Sequence, residues 1–179
     1  MKKELLFCAV LTMLFSRSLF ADDLNAAGKV EFAMQVGGLR LEGGTLASTG
    51  FDVAVRATGK WAIIGDIRAS GAKTSIEFED NFTTYRAGLR YSERLGKRMT
   101  IFVQGAAGEA TRHSLSYFTG FSRASGLSIA GGGGLDIGKR SWLAVRVAQA
   151  EFEMFRPDGQ AVNGFRISGG LVIRMGQTR

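Results

Sequence analysis

The chain has 179 residues, a net charge of +7, one cysteine, one proline and 25 glycines, and 45% of its residues are hydrophobic. This composition excludes a disulfide scaffold, a collagen-like fibre and a disordered chain, and the length fits one domain. Beyond the N-terminal segment no stretch is apolar for ~18 residues or more, so no transmembrane helix is predicted there. A soluble domain and a membrane barrel remain.

Residues 1–21 have the three parts of a secretory signal peptide. Lys2 and Lys3 form a positive start, an apolar run follows, and Ala21 ends the predicted cleavage site. Cleavage removes Cys8, the one cysteine of the chain. The exported domain, residues 22–179, is therefore predicted to lack disulfides, thiolate metal sites and cysteine-based catalysis.

Alternating apolar and polar residues predict β-strands along the exported domain. In the first such segment Val30, Phe32 and Met34 alternate with Glu31 and Gln35. The pattern recurs in eight segments, which we place at 29–36, 50–58, 61–70, 82–91, 98–107, 125–137, 141–152 and 164–175. Segments of about ten residues are long enough to cross hydrocarbon as tilted strands.

The predicted connections are alternately long and short, with 13, 2, 11, 6, 17, 3 and 11 residues. Outer-membrane barrels have short periplasmic turns and long outer loops. We therefore predict an all-β fold, an eight-stranded antiparallel up-and-down transmembrane β-barrel with both termini periplasmic. The alternative is a soluble periplasmic up-and-down barrel that binds a small apolar ligand.

Aromatic residues favour the membrane barrel, because they fall at the predicted strand ends as girdles do. Trp61 and Tyr91 lie at predicted periplasmic ends. The outer ends carry Phe51, Phe82, Phe152 and Phe165.

The polar faces of the strands are rich in arginine, whose planar guanidinium favours buried pairing with carboxylates. We predict a structural charge network in the lumen, formed by Glu31, Asp52, Arg56, Asp66, Arg68, Arg86, Arg90, Asp136, Arg146, Arg166 and Arg174. With Lys29, the predicted lumen has eight bases against four acids. A lumen plugged by these side chains is the leading hypothesis, and a narrow, weakly anion-preferring pore is the alternative.

The seventh segment breaks the alternation. Gln149 and Glu151 share parity with Val145, which indicates either that they lie beyond the hydrocarbon or that they follow a β-bulge.

The C-terminal half resembles a known family. The stretches GGGGLDIGKRSWLAVRVAQAEFE (131–153) and NGFRISGGLVIRMG (163–176) resemble the outer-membrane beta-barrel domain family, which is related in design to the OmpA transmembrane barrel. GFDVAVRATGKWAIIGDI (50–67) and TIFVQGAAG (100–108) are similar to its middle hairpins. The resemblance implies an eight-stranded barrel in a Gram-negative outer membrane, with no particular substrate. Outer-membrane lipids and, during insertion, the barrel-assembly machinery are the expected partners; the oligomeric state is left open.

Two motifs suggest other chemistry. Gly133, Gly138 and Lys139 have the spacing of a phosphate loop, but Arg140 stands where the hydroxyl is needed, so no cofactor is predicted. His113 and Ser116, with Glu109, have the residue types of an outer-membrane lipid hydrolase in the longest predicted loop. Because a loop holds such geometry poorly, we expect no enzymatic activity and no catalytic or metal site.

The predicted outer loops have a net negative charge. They contain five bases (Arg40, Lys73, Arg112, Arg123, Arg156) and seven acids (Glu42, Glu77, Glu79, Asp80, Glu109, Glu153, Asp158). No basic stripe with interleaved aromatic residues is present, so nucleic-acid binding is not expected. Surface recognition by loops 108–124 and 153–163 is a further hypothesis, because they contain Tyr117, Phe118, Phe121 and Phe155.

Overall fold

The computed structural model describes residues 30–42, 44–75, 78–95, 98–116, 120–138, 142–157 and 161–176, and these form eight strands. The strands are β1 (Val30–Leu41), β2 (Gly44–Thr58), β3 (Trp61–Ser75), β4 (Phe78–Leu95), β5 (Met99–Ser116), β6 (Gly120–Ile137), β7 (Leu143–Pro157) and β8 (Val162–Met175). In these ranges no helix is long and apolar enough to span a bilayer. The predicted signal peptide lies outside the described residues.

Each strand pairs antiparallel with the next one, and β8 pairs with β1 to close the barrel. Val30 lies opposite Met175 at one end of this seam and Leu41 opposite Gly164 at the other. Closure leaves no free sheet edge for pairing with another chain. The predicted eight-stranded up-and-down barrel is therefore confirmed. We call the end with Val30 and Met175 the terminal end, and the opposite end the distal end.

The predicted long connections at the distal end are wrong. The β5–β6 ladder continues through the pair Ser114–Ser122, and the β3–β4 ladder through Lys73–Glu79. β4, β5 and β6 each have 18 residues as a result. Backbone groups pair whether or not a side chain faces an apolar phase, so strands continue where the alternating pattern has ended.

At the terminal end the β2–β3 connection is a tight turn, as predicted. Gly59 has a φ of 45°, in the left-handed region that a side chain disfavours. This conformation lets the chain reverse between Thr58 and Trp61, which face each other across the ladder.

The two faces of the sheet have opposite polarity. Met34 and Val103 point outward and are 68% and 60% exposed, whereas the inward-pointing Arg68 and Arg146 are each 1% exposed. Soluble barrels place apolar side chains inside and charges outside. This barrel has the reverse arrangement, which is the arrangement predicted for a wall that faces lipid.

Candidate functional site: the lumen

Asp52 on β2 is the centre of the lumen network. Its carboxylate accepts hydrogen bonds from Arg68 Nη2 at 2.7 Å, Arg146 Nη1 at 2.9 Å and Arg90 Nη2 at 3.2 Å, and from Gln35 Nε2 at 2.5 Å. The four donors come from four different strands, so one carboxylate joins opposite walls of the barrel. Charge-assisted hydrogen bonds of this kind are about twice as strong as neutral ones.

A second cluster lies around Glu153. Its Oε1 accepts from Arg86 Nη1 at 3.0 Å and from Arg166 Nε at 2.8 Å, and its Oε2 accepts from Arg166 Nη2 at 2.9 Å. Arg86 also donates through Nε to Asp66 at 3.0 Å. Arg166 reaches across the seam side of the barrel to donate to Ser48 Oγ. Glu153 thus holds β4 and β8 against β7.

A third cluster lies toward the terminal end. Arg174 donates to Glu31 at 3.1 Å and to Asp136 at 3.2 Å. Asp136 also accepts from Arg146 Nε at 2.8 Å, and this arginine connects the cluster to Asp52. Arg56 Nη2 lies 3.9 Å from Glu31.

The structure places all eleven predicted network residues on the inner face and joins them by ion pairs of 4.0 Å or less. It also adds two carboxylates that the sequence pattern did not assign to the lumen, Glu151 and Glu153. Glu151 accepts a hydrogen bond from Gln104 Nε2 at 2.7 Å, and Gln104 in turn accepts one from Arg90 at 2.9 Å. Seven arginines and six carboxylates therefore make up the described network, and Lys29 lies outside the described residues. The two added carboxylates halve the predicted excess of bases.

A β-bulge in β7 directs these glutamates inward. The β7–β8 register shifts between Arg146 and Gln149, and the β6–β7 register shifts opposite it. Val147 and Ala148 consequently both face outward, and the parity of β7 is reversed from Gln149 onward. The prediction that Glu153 lies in an outer loop was therefore wrong, because β7 continues to Pro157 and the bulge turns Glu153 into the lumen. The signal in the sequence was the change from apolar to polar residues at odd positions after Val147.

Phe102 lies among the arginines in the lumen. Its ring centroid is 4.4 Å from Cζ of Arg146 and 4.7 Å from Cζ of Arg90, so the ring attracts both guanidinium charges. Gly134 makes room for the ring, because a Cβ at this position would lie 2.6 Å from Phe102 Cζ. At this position of the glycine run in β6, the absence of a side chain thus allows close packing inside the barrel.

An apolar cluster fills the lumen nearer the distal end. It consists of Leu39, Leu46, Phe82, Ala110 and Phe155, with Leu41 and Val162 packed against it. Phe82 and Phe155 are buried, with ring centroids 5.7 Å apart. The assignment of Phe82 to an outer girdle and of Phe155 to an exposed loop was therefore wrong. Tyr117 and Phe118 lie outside the described residues.

An aromatic and ionic cluster lies at the terminal end, beside the β2–β3 turn. Trp61 and Tyr91 form an edge-to-face pair with centroids 5.2 Å apart. Glu93 accepts hydrogen bonds from Tyr91 Oη at 3.0 Å and from Lys60 Nζ. The hydrogen bond with Glu93 raises the pKa of Lys60, and the same bond lowers the pKa of Glu93.

The residues of the hydrolase alternative do not form a triad. His113 and Ser116 belong to strand β5 and not to a loop. Glu109 is exposed and precedes His113 by four residues on the same strand, which is about 13 Å at ~3.3 Å per residue. An acid at this distance does not orient the imidazole.

Comparison with known proteins identifies the fold. No family model and no curated protein matches the chain. Neisserial surface protein A is similar over 82% of this chain and 96% of its own, with a TM-score of 0.68 and 9% identity. The attachment invasion locus protein Ail of Yersinia pestis is similar over 84% and 100%, with a TM-score of 0.54 and 14% identity. The N-terminal barrel domain of Pseudomonas aeruginosa OprF is similar over 83% and 100%, with a TM-score of 0.52 and 13% identity.

The chain shares the fold of eight-stranded outer-membrane barrels. The resemblance inferred from its hairpin sequences is confirmed at this level.

Proposed function

We propose that this chain is an integral outer-membrane β-barrel with a structural or surface role and a lumen closed by its own side chains. The observation that carries the proposal is the inverted polarity of the barrel wall. Apolar side chains cover the outside, and arginines and carboxylates are paired inside. In lipid such a wall is stable, because the described strands pair in a closed barrel and the lumen charges do not meet hydrocarbon.

In this proposal residues 1–21 direct export and residues 22–179 form the barrel, inserted by the barrel-assembly machinery with both termini in the periplasm. The lengths of the strands support this orientation. A tilted strand needs about 9–11 residues to cross the membrane, so the 18-residue strands β4–β6 extend well beyond it. The distal end is then the outer surface.

Two alternatives fit the structure less well. A soluble barrel with an apolar ligand requires an apolar lumen, whereas the lumen holds the ion network. A narrow anion-preferring pore requires a continuous path, whereas the ion network and the apolar cluster around Phe155 occupy the lumen in succession. We expect planar-bilayer recordings to show little current, and steady anion-selective current would favour the pore.

The test uses the barrel refolded into lipid vesicles. We expect it to migrate differently on a gel before and after boiling, as closed barrels do. Fluorescent labels attached at Leu89 and Leu171 should be quenched by labels on the acyl chains, whereas a label at Ser168, on the inner face, should not. Unchanged gel mobility with recovery in the aqueous fraction, or shielding of the first two positions, would overturn the proposal.

Surface recognition is a second candidate function, because the paired β5–β6 hairpin continues to Ser116 and Gly120. The structure of Ail has also been solved in complex with the heparin analogue sucrose octasulfate. Replacing residues 112–124 by a two-residue Asn-Gly turn shortens the hairpin between Thr111 and Ser125, which face each other across the ladder. Loss of cell attachment with an unchanged gel shift would support this role, and unchanged attachment would contradict it.

A further inference from the structure

The charges on the two rims of the barrel are different. At the terminal end Lys60, Arg94 and Arg98 are exposed, and the carboxylate of Glu93 pairs with Lys60. The sequence of the connections at the same end adds three more bases, Lys97, Lys139 and Arg140. At the distal end, once Glu153 is assigned to the lumen, five bases remain against six acids. The excess positive charge outside the lumen is therefore concentrated at the terminal end.

Each exposed base of this rim directly precedes an exposed apolar residue in the sequence. Lys60 is followed by Trp61, Arg94 by Leu95 and Arg98 by Met99, and these three apolar side chains are between 38% and 49% exposed. Leu95 and Met99 also face each other across the β4–β5 ladder. Lys60 and Arg98 lie on the rim side of Trp61 and Met99, whereas Arg94 lies one residue before Leu95, the last residue of β4. An aromatic or aliphatic residue at the boundary of the hydrocarbon, with a cation beside or beyond it, is typical of the headgroup region.

We propose that the terminal rim, defined by Lys60, Arg94 and Arg98, binds the phosphate groups of anionic glycerophospholipids in the periplasmic leaflet. This inference rests on the proposed membrane insertion and names the lipid class and the leaflet. The exposed apolar residues next to these bases favour a position of the cations at the level of the phosphates. The partner is identified by charge complementarity, because zwitterionic headgroups offer the rim no net negative charge. The attraction of one base near an anionic surface corresponds to about a fivefold enrichment of the anion.

The chain contains a built-in reporter of this binding. Its two tryptophans, Trp61 and Trp142, both lie at the terminal end and are 49% and 47% exposed. Their fluorescence therefore samples lipid next to the rim and not next to the distal end. Brominated acyl chains quench tryptophan on contact, so quenching measures which lipid is adjacent.

The experiment compares brominated phosphatidylglycerol with brominated phosphatidylcholine, each at the same low mole fraction in phosphatidylcholine vesicles containing the full barrel. We expect quenching that corresponds to at least about fivefold local enrichment of the anionic lipid at low ionic strength, falling as salt is raised. The triple variant K60Q/R94Q/R98Q should reduce this enrichment at least about twofold, because Lys97, Lys139 and Arg140 remain. The matched control R40Q/R123Q/R156Q removes three exposed bases from the distal end and should keep it.

Equal quenching by the two lipids, or an equal loss in both triple variants, would overturn the proposed lipid site. The boiling-dependent gel shift in pure phosphatidylcholine vesicles is measured on the same samples. Absence of that shift contradicts membrane insertion itself, so the two proposals fail in distinguishable ways.

Discussion

The substitution Asp52→Asn tests whether the ion network holds the barrel together. It removes the charge that three arginines share but keeps the size of the side chain. Truncating one partner of a buried ion pair costs about 3–5 kcal/mol, because the other charge is left uncompensated. Each arginine here retains another partner: Arg146 keeps Asp136 at 2.8 Å, Arg90 keeps Gln104 at 2.9 Å, and Arg68 keeps Asp66 at 3.8 Å. We therefore expect the lower end of that range, about 3 kcal/mol, or roughly a hundredfold in the unfolding equilibrium constant.

Urea titration of the barrel in vesicles, followed by tryptophan fluorescence and by the gel shift, measures this free energy. Glu42→Gln is the matched control, because it removes one carboxylate from an exposed position at the distal end. Its effect should stay within about 0.5 kcal/mol. A destabilisation by Asp52→Asn of less than about 1 kcal/mol would show that the arginines are hydrated in the lumen, and the argument for a closed ionic core would fail.

Three other predictions concern the wall, the bulge and the terminal turn. Val145→Lys places an ammonium on the lipid face and should cost about 2–4 kcal/mol in the same titration, whereas a cost near zero would place this position outside the hydrocarbon. Deletion of Ala148 removes the extra residue of the bulge, so Gln149 follows Val147 in regular alternation, Glu151 stays in the lumen and the gel shift should be kept; loss of the gel shift would mean that closure of the barrel requires the bulge itself. The ion pair of Lys60 and Glu93 should be intact between about pH 5 and pH 10. The pKa of Glu93 lies below its ordinary 4.5, so its contribution is complete above 4.5 and is lost as the pH falls through the lowered value. The pKa of Lys60 lies above its ordinary 10.5, so its contribution is complete below 10.5 and is lost as the pH rises through the raised value. NMR titration of the Glu93 carboxyl group checks this, because Lys60→Gln should return its midpoint toward 4.5.

The bulge explains why the composition of the lumen was predicted only in part. In the other seven strands the inward-pointing residues are either all odd-numbered or all even-numbered through the transmembrane stretch. The arginines of these strands were therefore assigned correctly to the inner face. In β7 two consecutive residues, Val147 and Ala148, both point outward, so the residues that follow them face the opposite side from the one that alternation predicts. Gln149 and Glu151 revealed this as a conflict of parity, but a pattern cannot tell a bulge from a strand that has left the membrane. Only the pairing with β6 and β8 distinguishes the two.

The sequence by itself determined the number of strands, their order and, in all strands but β7, which side chains share a face, because these properties follow from a local period of two residues. The tertiary structure decided which charges meet. Arg146 donates a hydrogen bond to Asp52 although the two residues are 94 positions apart in the sequence, and a local pattern of residues carries no information about such a contact. It also decided that the distal segments continue as paired strands and that Phe82 and Phe155 fill the lumen. Those outcomes depend on barrel closure, which sets the register of every strand against its neighbours and fixes which side chains share one level of the interior.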